Sequence, residues 1–355
     1  PNGVVFYPGT PEGYGPGFLL STSGALVRVE AVQLDLDPEP ELAFFSRGSF
    51  PVWSVGWIDV VNGVPTLLSE VAADFGVGGA NSHAVLDVDG DGLPDQLVST
   101  GDRIEVFFSA PDGGLTLGST LSTAHATGGF IELLSGDLDG DGDCDLLTFD
   151  QSGFSETRII AFEQTGAALV EQPADLVQDG VPTRAYLDDW DGDGDLDLFG
   201  HDLVAVGGIE WHQVENQGGL SFPFNRQVLA PFTGLGGGIA DIDGDGHSDF
   251  AAPAHVYFGD GTFGTLFPGD LSGGSTPNLP APPLDWEGDG DIDVPQGSSY
   301  LVNDGAGQLV NQPIFPSLPE GFFYSGITAA ADFDGAGGLD FLVRIFGPGG
   351  VFPFS

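Results

Sequence analysis

Lysine is absent from this chain of 355 residues. Its seven cationic side chains are all arginines, set against 53 Asp and Glu, for a formal net charge of −46. Phosphate backbones are held by cations, so this balance excludes nucleic acid as a partner. Cysteine occurs once, at Cys144, which excludes an internal disulfide and a cysteine-built zinc site. The six histidines (His83, His125, His201, His212, His247 and His255) show no zinc-binding spacing. No apolar run reaches the roughly 18 residues that a membrane-crossing helix needs. No stretch repeats its apolar residues at the helical period. There is no Gly-x-Ser-x-Gly elbow for a nucleophile. Glycine-rich stretches such as Gly234–Gly238 precede strand-like segments rather than helices, so they are not phosphate cradles. Methionine is also missing, and a chain opening at Pro1 is expected to be a mature or excised segment.

What is abundant is glycine (58), proline (26) and phenylalanine (28), the composition of a turn-rich β protein with ample material for a core. Above all, one acidic loop returns seven times. The copies begin at Asp35, Asp87, Asp137, Asp189, Asp241, Asp285 and Asp332, at separations of 52, 50, 52, 52, 44 and 47 residues. A period of about 50 with one β unit per period marks a propeller or solenoid array.

The clearest copies are Asp87-Val-Asp89-Gly-Asp91-Gly-Leu-Pro-Asp95 and Asp241-Ile-Asp243-Gly-Asp245-Gly-His-Ser-Asp249. Carboxylates at positions 1, 3, 5 and 9, with glycines at 4 and 6, describe a calcium cage: hard oxygen ligands on a turn tight enough to aim them at one centre. Three further loops carry all four ligands: Asp137, Asp139, Asp141 and Asp145; Asp189, Asp191, Asp193 and Asp197; and Asp285, Glu287, Asp289 and Asp293. The last true loop keeps Asp332, Asp334 and Asp340 but has Ala336 at position 5, so it is expected to be a weak site. The first, Asp35-Leu-Asp37-Pro-Glu39-Pro-Glu41, reads as two residues short, stiffened by Pro38 and Pro40, and is expected to be empty. An EF-hand needs Glu at position 12 and flanking helices. Position 12 is instead Val98, Thr148, Gly200, Ala252, Gln296 or Val343, which removes that reading.

Position 2 is apolar in every copy (Leu36, Val88, Leu138, Trp190, Ile242, Trp286, Phe333) and is expected to face a neighbouring unit, away from the ligands. A short apolar run precedes most loops and another follows, so each loop joins two strands of a hairpin. Later come a strand, a Gly-rich turn and another strand, as in Ile209–Leu220, Val256–Phe263 and Tyr300–Leu309. Each unit is therefore four antiparallel strands, one propeller blade. The pattern Asp-x-Asp-Gly-Asp-Gly-x-x-Asp, followed by a strand and an Asn/Asp-Gly-x-Gly hairpin, resembles the FG-GAP/VCBS repeat, which includes the blades of integrin α-subunit propellers and of many bacterial surface proteins. The resemblance implies an all-β, seven-bladed β-propeller of four-stranded antiparallel blades, with calcium between the first and second strands of a blade. Only about 15 residues follow the last loop, while Gly3–Tyr7 and Gly17–Leu20 mimic third and fourth strands. Residues 1–24 are therefore expected to complete the last blade of a single ring spanning 1–355, latching it with no free edge.

Paired acids abound, and metal ligation accounts for most of them, so they do not signal glycosidase chemistry. Trp53, Trp57 and Trp211 can stack on sugars or pack between blades, and packing is the expectation. His83, on an inner strand, is expected to be a satisfied histidine. The function expected from this reading is a calcium-stabilised, extracellular, non-enzymatic binding or adhesion module, holding a protein or glycan ligand on one face of the ring. A lectin, or a self-assembling subunit of a surface layer or filament, is the alternative. A polysaccharide-lyase-like enzyme is disfavoured by the scarcity of cations.

Overall fold

The computed structural model describes residues 2–10, 13–20, 22–34, 39–48, 52–61, 63–74, 80–100, 103–122, 130–151, 156–172, 176–179, 181–204, 208–222, 226–232, 238–252, 255–262, 267–268, 283–287, 289–296, 299–303, 309–313, 323–335 and 339–346. Among them there is no helix, and none is long and apolar enough to cross a membrane. Antiparallel sheets follow one another along the chain. Blade 1 comprises Ala25–Val32, Glu41–Arg47, Val52–Val61 and Val64–Asp74. Blade 2 comprises Ala80–Leu86, Asp95–Thr100, Arg103–Ser109 and Leu115–Leu121. Blade 3 has Phe130–Gly136, Asp145–Gln151, Glu156–Gln164 and Leu169–Glu171, with Leu176–Asp179 also pairing with Glu156–Gln164. Blade 4 has Val181–Asp188, Asp197–Val204, Gly208–Val214 and Arg226–Phe232, and blade 5 has Gly238–Ala240, Asp249–Ala252, His255–Phe258 and Phe267–Pro268.

Blade 6 shows three strands, Val294–Gln296, Ser299–Asn303 and Leu309–Pro313. The place of its first strand is marked by the single bridge Leu284↔Asp293, and the segment before residue 283 lies outside the described residues. The expectation of seven four-stranded blades is thus met by six complete ones and this three-stranded sheet. In the closing blade, Phe323–Ala331 and Asp340–Phe346 are joined by Asn2–Tyr7 and then Phe18–Leu19. The amino-terminal strand lies antiparallel to the last one, from Asn2↔Phe346 to Tyr7↔Phe341. Both ends of the chain share that blade, as its sequence signals imply.

The second strand of a blade is covered on both faces by its neighbours, so it reads as an apolar run rather than an alternation. Asp95–Thr100 is buried at every residue and Glu41–Arg47 at all but its last. The outermost strands, Val64–Asp74 and Leu115–Leu121, are mostly exposed. Core clusters sit between blades and run round the ring. Val88 of blade 2 packs with Leu133, Leu146 and Ile160 of blade 3. Leu138 packs with Leu198 and Val214 of blade 4, and Ile242 with Val294 and Leu301 of blade 6. Phe333 of the closing blade packs with Leu42, Phe44 and Ile58 of blade 1. The position-2 side chains therefore do insert into the next blade. The seam between blades 4 and 5 is aromatic: Trp190 stacks on Phe199 at 5.6 Å, and Trp211 meets Phe250 at 4.3 Å with a 54° tilt. Such pairs add about 0.5–1.5 kcal/mol each beyond the area they bury. Trp57 and Trp211 are fully buried and Trp53 nearly so, which makes all three packing residues.

Strand register corrects the frame of the first loop. In the other six, the residue before position 1 pairs with position 9: Leu86↔Asp95, Gly136↔Asp145, Asp188↔Asp197, Ala240↔Asp249, Leu284↔Asp293 and Ala331↔Asp340. In blade 1 the matching pair is Val32↔Glu41. Position 1 is therefore Gln33, position 2 is the buried Leu34 rather than Leu36, and position 9 is Glu41. The loop has full length, with a neutral amide where the others have their first carboxylate.

Candidate metal centres

Among the described residues, the loops are scaffolds of backbone N–H groups folded round carboxylates. In the second loop, Asp87 Oδ1 accepts from Gly90 N (2.8 Å) and Asp91 N (3.2 Å), and Oδ2 accepts from Gly92 N (2.8 Å). Asp89 Oδ1 accepts from Asp91 N at 3.2 Å, and Asp91 Oδ1 from Leu93 N at 2.9 Å. The fifth loop repeats the pattern through Asp241, Asp243 and Asp245. This winding puts Gly90 and Gly92 at φ of 72° and 89°. A Cβ on Gly92 would meet nothing within 4 Å, so the backbone angle rather than space requires glycine there.

Position 9 lies where the loop enters the second strand, and it is buried in all six Asp copies. Asp95 Oδ2 accepts from Val88 N at 3.0 Å, and the same bond recurs for Leu138, Ile242, Trp286 and Phe333 at 2.7–3.0 Å. In the first loop Glu41 Oε2 accepts from Leu34 N at 2.6 Å. The other oxygen accepts the backbone N–H of a residue at or just beyond the end of the third strand: Ser109, Gln164, Asn216 and Gly259 at 2.8 Å, Asn303 at 2.7 Å, and Gly9 in the closing blade. Burial nevertheless pushes these carboxyls up, to about 7 for Asp95 and Asp197 and about 6 for Asp145, Asp249 and Asp340, with the neighbouring loop carboxylates raising them further.

Five groups of three carboxylates bring ligand oxygens within 4.8 Å of one another: Asp87, Asp89 and Asp95; Asp137, Asp139 and Asp145; Asp189, Asp191 and Asp193; Asp241, Asp243 and Asp249; and Asp332, Asp334 and Asp340. The position-5 residues Asp91, Asp141 and Asp245 stand outside these groups, as does Asp197. The Asp332 loop gathers its ligands despite Ala336. The Asp285 loop, complete in sequence, does not form such a group among the described residues. There the longer Glu287 bonds to Asp293, and burial together with that neighbour pushes Glu287 up to about 7. One extra methylene lets position 3 fold onto position 9.

The donor set suits a hard divalent cation: carboxylate oxygens only, clustered and half-buried. Asp137 Oδ1 and Asp189 Oδ1 are buried with no hydrogen-bond partner among the described residues. An orphaned buried carboxylate oxygen beside two like charges is the position that a cation would satisfy. The described ion pairs of arginine, Arg28–Glu30 and Arg103–Glu105, lie away from the loops.

The remaining sequence candidates are structural. His83 is fully buried, with Nε2 3.1 Å from Gln96 Oε1 and its ring stacked on Phe45. Its Nδ1 lies 3.6 Å from Glu30 Oε1, which also pairs with Arg28 Nε at 2.5 Å. Burial works to raise the Glu30 carboxyl, but His83 and Arg28 outweigh it and hold the group below its ordinary range. Burial, with Asp145 and Asp137 nearby, pushes the Cys144 thiol up to about 11, an unreactive state. Sequence reasoning missed Gln33 as position 1 and read Glu41 in the wrong frame rather than at position 9, and it took Asn216 and Asn303 only for turn residues.

Residues 87–148 match the family model FG-GAP-like repeat. With the ring of antiparallel sheets, that match supports an FG-GAP β-propeller. No curated protein sequence matches the chain. Among solved structures, a lectin of Agrocybe aegerita, described as recognising non-reducing terminal N-acetylglucosamine, aligns at TM-score 0.54 and 16% identity over 88% of this chain and 90% of its own. A protein from Lactobacillus plantarum aligns at 0.51 and 16% over 88% and 95%. The periplasmic gluconolactonase PpgL of Pseudomonas aeruginosa aligns at 0.50 and 14% over 88% and 95%. Identities this low establish a shared fold. They also correct the expectation that the protein is not an enzyme: the same arrangement of sheets carries a gluconolactonase, so the fold gives no ground for excluding catalysis.

Proposed function

We propose that the protein is a calcium-stapled β-propeller that works outside the cell and binds a carbohydrate on one face of its ring. The observation that carries the metal half is the convergence of five carboxylate triads whose buried oxygens include orphans at Asp137 and Asp189. Calcium is the ion of choice because the ligands are all oxygen and the glycine-bearing loops leave room for its large, irregular coordination shell. Loops of this kind fill where free calcium is millimolar, which favours an extracellular setting over the cytosol. The carbohydrate half is supported by the likeness to the lectin across most of both chains. The strongly acidic surface favours neutral or basic sugars over polyanionic ones.

Metal analysis of protein dialysed against calcium, followed by a glycan array with and without EGTA, tests the proposal. Bound calcium and a glycan signal that chelation abolishes are the expected results. Protein that retains no ion after dialysis overturns the metal half. A silent array together with capture of a protein partner or self-association replaces the carbohydrate half.

A further inference from the structure

A residue at or just beyond the end of the third strand occupies an equivalent position in every blade, two places beyond the partner of the residue that follows position 9. Going round the ring from blade 1, the seven are Val60, Ser109, Gln164, Asn216, Gly259, Asn303 and Gly9. Three carry an amide, and all three reach across the blade boundary. Gln164 Nε2 donates to the carbonyl of Val88, position 2 of the preceding loop, at 3.0 Å. Asn216 Nδ2 donates to Leu138 O at 2.6 Å and Asn303 Nδ2 to Ile242 O at 2.6 Å, again position 2 of the preceding loop. The two asparagines also touch position 8 of their own loops, at Leu196 O (3.3 Å) and Ile292 O (3.2 Å). The three amides are buried, at 5%, 1% and 2% exposure.

At the other junctions the link is missing for a chemical reason. The Ser109 hydroxyl is spent on Pro94 O of its own loop at 2.6 Å. Gly259 and Gly9 have no side chain, and a Cβ at Gly259 would collide with Ser248 O. Val60 is apolar. The ring is therefore divided. The second, third and fourth loops are chained through Gln164 and Asn216, and the fifth and sixth are joined through Asn303.

The chain of contacts is continuous. A position-9 carboxylate holds the backbone N–H of the amide residue, and that residue's side chain holds the position-2 carbonyl of the loop before it. The N–H of that same position 2 is in turn held by its own position-9 carboxylate in the second, third and fifth loops. The third and fourth loops also lie close together: a Cβ at Gly140 would lie 3.4 Å from Gly194 O and 3.8 Å from Asp195 Oδ1. We infer that Gln164 and Asn216 are positioning residues that couple cation binding between neighbouring loops, so that the second to fourth loops load as one cooperative unit, separate from the fifth. This rests on the loops taking calcium, as proposed above. Motion of one carboxylate onto its ion is passed on through buried hydrogen bonds that are too costly to leave unmade.

Calcium titration of the full-length chain, followed by NMR at the position-6 amides Gly92, Gly142, Gly194 and Gly246, tests it. In the unmodified protein, Gly92, Gly142 and Gly194 should follow one curve steeper than a single-site isotherm. Three separate shallow curves would overturn the inference. Asp191→Asn, which removes a ligand from the fourth loop, should raise the Gly142 midpoint by about 5-fold or more, the usual lower range for coupled sites, and leave Gly246 in place. In the Asn216→Leu background the Gly142 shift should vanish, and its persistence would place the coupling elsewhere. If none of these signals responds to millimolar calcium, it is the calcium reading that fails, not the division of the ring.

Discussion

Stripping the cations at pH 7.5 with EGTA is the perturbation to which this molecule should respond most. At about 2 mM free calcium and a dissociation constant near 0.1 mM, each filled loop stabilises by about 1.8 kcal/mol. Five triads then give about 9 kcal/mol, as much as a typical domain's whole stability. For a chain of this length, where 1 kcal/mol moves the melting temperature by roughly 1–2 °C, the expected drop is about 10–20 °C. The dependence on pH sharpens the test. In the cation-free protein Asp95 and Asp197 titrate near 7, and Asp145, Asp249 and Asp340 near 6, all above the usual 3.8. A carboxyl whose folded value is raised binds its proton more readily folded than unfolded. The cation-free protein should therefore gain stability as pH falls from 7.5 to 5 and lose it as pH rises through 6–7. Discounted several-fold for screening and water penetration, the gain is still on the order of 3–5 kcal/mol. The calcium-loaded protein should show the opposite slope, because protons compete for the same oxygens. Differential scanning calorimetry at pH 7.5, 6 and 5, with and without EGTA, should give two curves that converge on acidification. Parallel curves, or no effect of EGTA at any pH, would refute the reasoning.

Deleting residues 1–24 removes two strands from the closing blade, including Val4, Val5, Phe6 and Tyr7, each at most 3% exposed. At about 1.5–3 kcal/mol per buried side chain the loss is on the order of 6–12 kcal/mol. The truncated chain should lose its cooperative melting transition, and a sharp transition near that of the full-length protein would count against a shared closing blade. Glu30→Gln should lower stability at pH 7 by about 1–2 kcal/mol, allowing for partial exposure of the pair. Because the folded Glu30 value is depressed, its contribution is complete above about pH 4.5 and fades as pH falls through the folded value. The difference from the unmodified protein, followed by thermal melts, should shrink in acid.

The period and the loops were legible because they are local: Asp-x-Asp-Gly-Asp-Gly needs no knowledge of what lies opposite, while the sharing of the last blade followed from counting, since too few residues come after the last loop to make its remaining strands. The first loop was misread because Gln33 replaces the leading carboxylate, while Asp35, Asp37 and Glu39 imitate it two residues further on. Only the pairing of Val32 with Glu41 reveals the frame. The behaviour of Asp285 and Asp332 was hidden too, since counting carboxylates does not show that Glu287 folds onto Asp293. The reach of Asn216 to Leu138, 78 positions away, leaves no local trace beyond an asparagine before a glycine-rich turn.

The strand Asn2–Tyr7 finds its partner in Asp340–Phe346. A ribosome makes the first of these well before the second, so its edge and its aromatic side chains wait, unmatched, until the partner strand has been made. Ring closure therefore waits for Asp340–Phe346, and any export step that requires an extended chain has until then to act.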